Sequence, residues 1–411
     1  MEEEAFVDHT VSVSARRVTH RIYAARALRD FGDGFVAVLL PVYLTALGMD
    51  ALGIGLAATL ALLGSASMTL AIGFWGNRVD QRVLLIAAAV LMAATGVAFA
   101  LSSSVAVILL VAFLGTINPS SGSVSVFVPL EHALLSHAVK DADRTPMFAR
   151  YSLIGAMAAA VGALAAGSPE FLQAHGLSQL TSLQLMFVVY AALGLAGGLL
   201  YAGLPPEGRY GTSTKPQGLG PSKGMVYKLA GLFSIDSFAG GFAVQSLLAL
   251  WLFHKFGMSL VAAGLFFFWS SVLAAFSFPV AAWLTRRIGL VNTMVYTHIP
   301  SSLCLILAAV APNLELALVL LSVRAALSQM DVPTRSSYVM AVVTPAERAA
   351  AASVTAVPRS PAAAVSPVMA GALFAAGFAA LPFIICGVLK IAYDFALLWT
   401  FRHVRPPEEQ T

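Results

Sequence analysis

The chain has 411 residues, 59% of them hydrophobic and 11% charged, with a formal net charge of +4 and a mean hydropathy of +0.84. A soluble domain carries about 25% charged residues, so this composition excludes an ordinary water-soluble protein and points to a chain that crosses a membrane repeatedly. Lys and Arg lie in short scattered clusters, which excludes a nucleic-acid-binding face.

Apolar segments long enough to span a bilayer are predicted at 25–48, 51–73, 83–101, 104–139, 146–167, 182–204, 226–253, 259–284, 289–311, 314–343, 349–376 and 381–401. The fold class expected is an all-α membrane protein with twelve transmembrane helices in two six-helix halves. The expected organisation is a cytoplasmic N-terminal segment at 1–24, halves at 25–204 and 225–402, a cytoplasmic linker at 205–224 and a tail at 403–411. The linker, "PPEGRYGTSTKPQGLGPSKG", is rich in Gly, Pro, Ser and Thr, a composition that favours a flexible connection. The opening "MEEE" is acidic where a signal peptide is basic, so no cleaved leader is expected.

The first segment opens "RALRDFGDGF". Arg26 and Asp30 are four residues apart, as are Arg29 and Asp33, and both spacings suit ion pairs along a helix. Asp33 lies deepest and is a candidate proton or cation site. The fourth segment contains "NPSSG" at 118–122 and then "FVPLEHALL" at 127–135, where Glu131 is the first Lys, Arg, Asp or Glu since Arg82. Glu131 sits nine residues before Lys140, roughly 13 Å along a helix. An unpaired charge at such depth costs about 2.5–3.5 kcal/mol even on the gentle insertion scale, so a partner is expected.

The seventh segment places Asp236 in "FSIDSFAGGF". In the tenth, "VRAALSQMDVPTRSSY" puts Arg324, Ser328, Asp331 and Arg335 at steps of four, three and four, a single stripe on a helix. Lipid would reject such a stripe, so it should face the bundle interior. The eleventh carries Arg359 between prolines in "VPRSPA", and the twelfth carries Lys390 and Asp394 four apart. His132 and His298 are further polar groups in apolar surroundings. Cys304 and Cys386 fall in apolar segments with no motif around them, so neither a disulfide framework nor a metal site is indicated. No Walker-type lysine loop appears, so ATP is not expected to drive the protein. No cofactor is expected.

Loops of alternate parity hold Arg16, Arg17, Arg21, Arg78, Arg82, Lys140, Arg144, Arg209, Lys215, Lys223, Arg286, Arg287, Arg348, Arg402 and Arg405, whereas the others hold just Lys255. By the positive-inside rule both termini are expected in the cytoplasm of a multi-pass protein of the cell membrane. The two halves also repeat each other. "DGFVAVLL" (33–40) aligns with "GGFAVQSL" (240–247), "GNRVDQR" (76–82) with "TRRIGLV" (285–291), "FVPLEHALL" (127–135) with "DVPTRSSYV" (331–339), and "DADR" (141–144) with "PAER" (345–348). Four matches in order at nearly one offset indicate duplication. Glu131 and Arg335 then occupy equivalent positions, and the expectation is that they face each other across a central pathway.

Twelve segments, a central linker and basic loops after segments 2 and 8 resemble the major facilitator superfamily, over about residues 25–402. That family's loop motif, G-x-x-x-D-R-x-G-R-R, is read here as "GFWGNRVDQR". Gly73, Arg78 and Arg82 match it; Asn77 replaces the aspartate, Asp80 the second glycine and Gln81 an arginine. The Gly-Pro pattern of drug/proton antiporters in the fifth segment is absent. The resemblance implies a secondary transporter, not an enzyme, that works by alternating access.

The expected partners are a small-molecule substrate, protons and the lipid bilayer, with no nucleic acid, and the chain is expected to act as a monomer. The leading expectation is proton-coupled efflux of a small organic molecule through Asp33 or Glu131. The alternatives are uptake or facilitated diffusion of an anionic metabolite bound by Arg324, Arg335 and Arg359, and a membrane sensor that transports nothing. Asp33, Glu131, Asp236, Arg324, Asp331, Arg335 and Arg359 are the candidate pathway residues. Gly73, Asn77, Arg78, Asp80, Arg82, Arg286 and Arg287 are the candidate gating residues.

Overall fold

A computed structural model describes residues 2–75, 78–120, 125–138, 144–205, 219–344 and 347–402, with side chains described from residue 16 onward except at 75, 136–138, 144–146 and 349. The described residues are helical with short connections. The N-terminal helices are α1 (Glu2–Ala46), α2 (Ala51–Trp75), α3 (Gln81–Leu101), α4 (Val105–Leu114), α5 (Phe127–Ala138), α6 (Arg144–Ala165), α7 (Ser168–Ala174) and α8 (Gln179–Ala202). The C-terminal helices are α9 (Lys223–Gly241), α10 (Gln245–Phe256), α11 (Leu260–Ile288), α12 (Leu290–Ala309), α13 (Leu314–Ser328), α14 (Asp331–Ala341), α15 (Arg348–Ala356), α16 (Arg359–Ala375) and α17 (Leu381–Phe401).

Nine helical stretches among the described residues are long and apolar enough to cross a membrane: Ala51–Phe74, Gln81–Leu101, Met147–Ala174, Gln179–Ala202, Lys223–Phe256, Leu260–Ile288, Leu290–Ala309, Leu314–Ala341 and Leu381–Phe401. Twelve were expected, and the three that fall short have identifiable causes. The helix expected at 25–48 carries Arg26, Arg29, Asp30 and Asp33. The one expected at 104–139 stops at Leu114 and resumes at Phe127, with Pro119 between them. The one expected at 349–376 breaks between Ala356 and Arg359, because Pro358 has no N–H to continue the ladder. A similar interruption separates α13 from α14 just before Pro333, and α9 from α10 after Gly240 and Gly241. Such breaks persist in a membrane only where protein or a cavity satisfies the freed backbone groups.

The two sets of helices meet at one end of the bundle. Gly55 and Gly371 let α2 and α16 touch backbone to backbone: a Cβ on Gly55 would lie 2.4 Å from the Pro367 carbonyl, and one on Gly371 would lie 2.5 Å from the Ala51 carbonyl. The Val368 amide donates to Thr59 Oγ1 at 3.0 Å. The Leu260 amide donates to Glu170 Oε1 at 2.5 Å, and Gly264 of α11 rests against Ala163 of α6. These residues belong to the end remote from the 205–224 connection. Nearer that connection, α5 packs on α1, α3 and α6, and α14 packs on α11, α12 and α15. Each therefore stays with its own set of helices.

Candidate functional site

In the N-terminal helices the buried charges form one cluster. Glu131 on α5 is fully buried and receives both Nη atoms of Arg29 from α1, at 3.1 and 2.9 Å. The hydroxyls of Tyr151 on α6 and Tyr201 on α8 donate to the same carboxylate at 2.5 and 2.6 Å. The Arg29 guanidinium also lies 4.6 Å from the Phe127 ring centroid. Arg26 pairs with Asp30 at 2.6 Å, as their spacing predicts. The other predicted pair, Arg29 with Asp33, is not formed, because Arg29 turns to Glu131. Asp33 is buried and accepts from the Tyr190 hydroxyl at 3.3 Å; among the described residues no basic group forms an ion pair with it.

The C-terminal helices hold a second cluster. Asp236 on α9 accepts from Arg335 Nη2 at 2.9 Å and from Lys390 Nζ on α17 at 2.6 Å. Arg335 also pairs with Asp331 one turn away, and its guanidinium lies 5.0 Å from the Phe233 ring centroid. The predicted pair of Lys390 with Asp394 is replaced by two others. Lys390 goes to Asp236, and Asp394 accepts from His298 Nδ1 of α12 at 3.0 Å.

The contact expected between Glu131 and Arg335 is therefore absent from this structure: each finds its partner within its own half. The two pairs are nevertheless equivalent. Arg29 and Asp236 lie 207 residues apart, the offset that aligns "DGFVAVLL" with "GGFAVQSL", and Glu131 and Arg335 lie 204 apart. The duplication thus carries one ion pair twice with its polarity reversed. Reading the charges at that same offset would have found Arg29, which the pattern of isolated acids did not suggest. Tyr151, Tyr190 and Tyr201 left no such signal, since tyrosine is common in apolar helices.

Between the halves lies a cavity of roughly 440 Å³, within the range of about 300–1,000 Å³ common for small-molecule sites. Ser120, Ala156 and Ala159 line it from the N-terminal side. From the C-terminal side come Gln245, Phe266, Phe267, Ser270, Ser271, Phe278, Arg324, Ser328 and Gln329, with small apolar residues between them. Arg324 is the charged residue of this lining, and no acidic side chain among the described residues forms an ion pair with it. Ser270 Oγ is buried with no hydrogen-bond partner among the described residues. Asp331 and Arg335, predicted on the same stripe as Arg324 and Ser328, instead join the Asp236 cluster, because the helix is interrupted between Ser328 and Asp331. Arg359 donates through Nε to Ser237 Oγ at 3.0 Å, beside Asp236.

The candidate gating residues sit apart from this cavity. Asp80 caps α3, accepting from the Arg82 amide at 2.8 Å, and the Arg82 guanidinium donates to the Ala202 carbonyl at the end of α8. Gly73 and Arg78 are exposed. Arg286 and Arg287 form the last turn of α11, with Arg287 over Trp283 at 4.5 Å. Asn77 lies outside the described residues.

An all-helical bundle with interrupted helices, buried ion clusters in each half and a cavity between the halves defines a membrane transporter rather than an enzyme. Residues 22–297 match the model of the Major Facilitator Superfamily, and the chain belongs to that family. It is 25% identical over 423 aligned positions, covering 94% of each chain, to the uncharacterized membrane protein YJR124C of Saccharomyces cerevisiae. Its fold resembles that of the nucleoside transporter NupG, with a TM-score of 0.76 at 14% identity, covering 93% of this chain and 100% of the other. It also resembles a bacterial homolog of the human lysosomal transporter Spinster in an inward-facing, unoccupied conformation. There the TM-score is 0.70 at 15% identity, over 95% and 98% of the two chains. The human organic anion transporter MFSD10 gives a TM-score of 0.61 at 16% identity, over 93% and 99%.

Proposed function

We propose that this chain carries a small organic solute bearing an anionic group across the cell membrane, by rocking residues 25–204 against 225–402 around the central cavity. In this reading both termini and the 205–224 linker lie in the cytoplasm. The observation that carries this reading is Arg324, the charged residue of the cavity lining, with no acidic partner among the described residues. A guanidinium presents a fork of donors suited to a carboxylate or phosphate, and a cation without a carboxylate beside it in a cavity favours an anion there. Ser270 and Ser328 offer hydroxyls to the same ligand, and Phe266, Phe267 and Phe278 offer its apolar part a surface. Of the three arginines first considered, Arg324 is the anchor, while Arg335 is committed to Asp236 and Asp331. The test is flux into proteoliposomes from a panel of organic anions and neutral analogues. The expected result is saturable flux of at least one anion, falling at least tenfold in Arg324→Gln. Flux confined to neutral or cationic solutes, or untouched by the substitution, contradicts it.

Proton-coupled efflux through Asp33 is a second reading, supported by the burial of that carboxylate with a tyrosine hydroxyl as its hydrogen-bond partner. Glu131 suits a proton site less well, because both its oxygens already accept strong bonds. An outward proton-for-solute exchange predicts solute expulsion driven by an imposed pH gradient and lost in Asp33→Asn.

A further inference from the structure

We propose that Glu170 is a latch between the halves: its carboxylate caps α11 from the other half and biases the carrier toward the state in which the end remote from the linker is shut. The latch rests on the rocking of the halves proposed above, but not on the charge of the solute. Glu170 stands in the first turn of α7, in the N-terminal set of helices. Its Oε1 accepts from the Leu260 amide of α11, in the C-terminal set, at 2.5 Å. Every ion pair between described residues lies within one half. A carboxylate bonded across the seam therefore stands apart from the buried clusters.

The sequence builds both sides of this contact. In "AGSPEFLQA" (166–174), Gly167 caps α7 and Pro169 sits in its first turn, where a missing amide costs a helix nothing. The same corner brings Glu170 to the start of α11: a Cβ on Gly167 would lie 3.0 Å from Val261 Cγ2 and 3.2 Å from its Cα. Opposite, α11 begins after Ser259, which is extended at φ −76° and ψ 160°. Ser259 Oγ accepts from the Ala262 amide at 3.1 Å, a cap supplied by the helix's own chain segment. The Leu260 amide is another of the four that a helix start leaves without an internal partner, and the other half supplies its acceptor. The partial positive charge at the start of a 29-residue helix strengthens the attraction for a carboxylate.

Its position makes this bond releasable. Two other amides of the C-terminal set also bond across the seam: Ser246 to the Pro119 carbonyl at 3.0 Å and Val368 to Thr59 Oγ1 at 3.0 Å. Both have neutral acceptors, and Ser246 is wholly buried, where an amide left unpaired is costly. At the Glu170 corner Ser259 is exposed and Glu170 half-buried. Water meets the carboxylate and the amide as soon as the corner parts, so opening leaves neither group unpaired. The net strength is then that of a bond exchanged with water, enough to bias the resting state and small enough to yield when the other state is favoured.

The test measures spin-label distances in full-length protein in lipid nanodiscs, with Cys304 and Cys386 replaced by Ala. Labels at Leu52→Cys and Phe378→Cys span the joined end, away from α7 and α11. All variants carry Gly55→Ala, whose Cβ would lie 2.4 Å from the Pro367 carbonyl and loosens this end until short and long distances coexist. Glu170→Ala should then raise the long-to-short ratio about fivefold, the order of an ordinary helix cap. Glu170→Gln, which keeps an acceptor without the charge, should raise it less. Leu260→Pro deletes the amide at the first helical position, where proline is accepted. Beyond the change in Leu260→Ala, which keeps the amide, it should match Glu170→Ala, and the two combined should add nothing. Ser259→Ala removes a cap present in both states, so it should lower the melting temperature and leave the ratio alone. A ratio indifferent to Glu170→Ala, effects of Glu170→Ala and Leu260→Pro that add in full, or a ratio that follows Ser259→Ala equally overturns the latch. Should Glu170→Ala fail to fold, Leu260→Pro against Leu260→Ala decides in its place. A single distance that persists in every variant overturns the rocking of the halves, and the latch falls with it.

Discussion

Arg29 and Arg335 each place a guanidinium over an aromatic ring and against a carboxylate from a different helix. The carboxylate comes from α5 in one half and from α9 in the other, so the duplicated scaffold tolerates either polarity as long as the pair is complete. Breaking a buried pair leaves an uncompensated charge, at a cost of about 3–5 kcal/mol, whereas replacing both members with apolar residues is often neutral. Glu131→Ala should therefore lower thermal stability sharply in detergent, and Arg29→Met with Glu131→Met should recover most of the loss. A double variant no more stable than the single one would deny the pair its structural role. The depth and isolation of Glu131 were legible in the sequence, as was its equivalence to Arg335. Its partner was not, because helical spacing links residues within a segment, whereas Arg29 and Glu131 meet only when α1 packs on α5. Helical spacing misassigned Lys390 and Asp394 for the same reason.

Helix breaks and glycines do the work at the scale of elements. Prolines at 119 and 358 lay in breaker-rich stretches of the fourth and eleventh segments, and the structure divides helices close to both; it also divides α13 from α14 just before Pro333, a break that the sequence pattern did not single out. Close helix approach was legible only as a general richness in Gly and Ala, since which glycines face another backbone depends on packing. Gly162 is one such: a Cβ there would lie 2.0 Å from the Phe31 carbonyl. Gly162→Leu should separate α6 from α1 and lower stability, a change readable as a lower melting temperature. At the linker, Glu347 accepts from Ser222 Oγ at 2.6 Å, from Thr344 Oγ1 at 2.7 Å and from the Gly220 amide. These bonds, with Ser222 foremost, hold its carboxyl down at about 2. A carboxyl lowered on folding stabilises the docked linker end above its ordinary range, about pH 4.3, and that contribution is lost as pH falls toward 2. Glu347→Gln should speed hydrogen exchange of the Gly220 and Ser222 amides at neutral pH. Unchanged exchange would show that the carboxylate does not hold this segment.

For the whole molecule, the membrane setting was readable from composition, and the family from the run of apolar segments, the central linker and the loop motif "GFWGNRVDQR", because these are properties of the chain itself. Which end of the bundle is closed was not readable, since one sequence must serve both states. In this structure the halves are joined through Gly55, Gly371, Thr59, Glu170 and Gly264, and the charged clusters stay within their halves. If the halves rock, the joined end must open when the other closes. The most direct measurement is a pair of spin-label distances in protein lacking its two native cysteines. One pair, Leu52→Cys with Phe378→Cys, reports the joined end, and the other, Ala149→Cys with Ala282→Cys, reports the opposite end. Adding Gly55→Leu, whose side chain collides with the Pro367 carbonyl, should lengthen the first distance and shorten the second. Two distances that move together, or an opposite end that keeps one unchanged distance, would contradict transport by rocking halves.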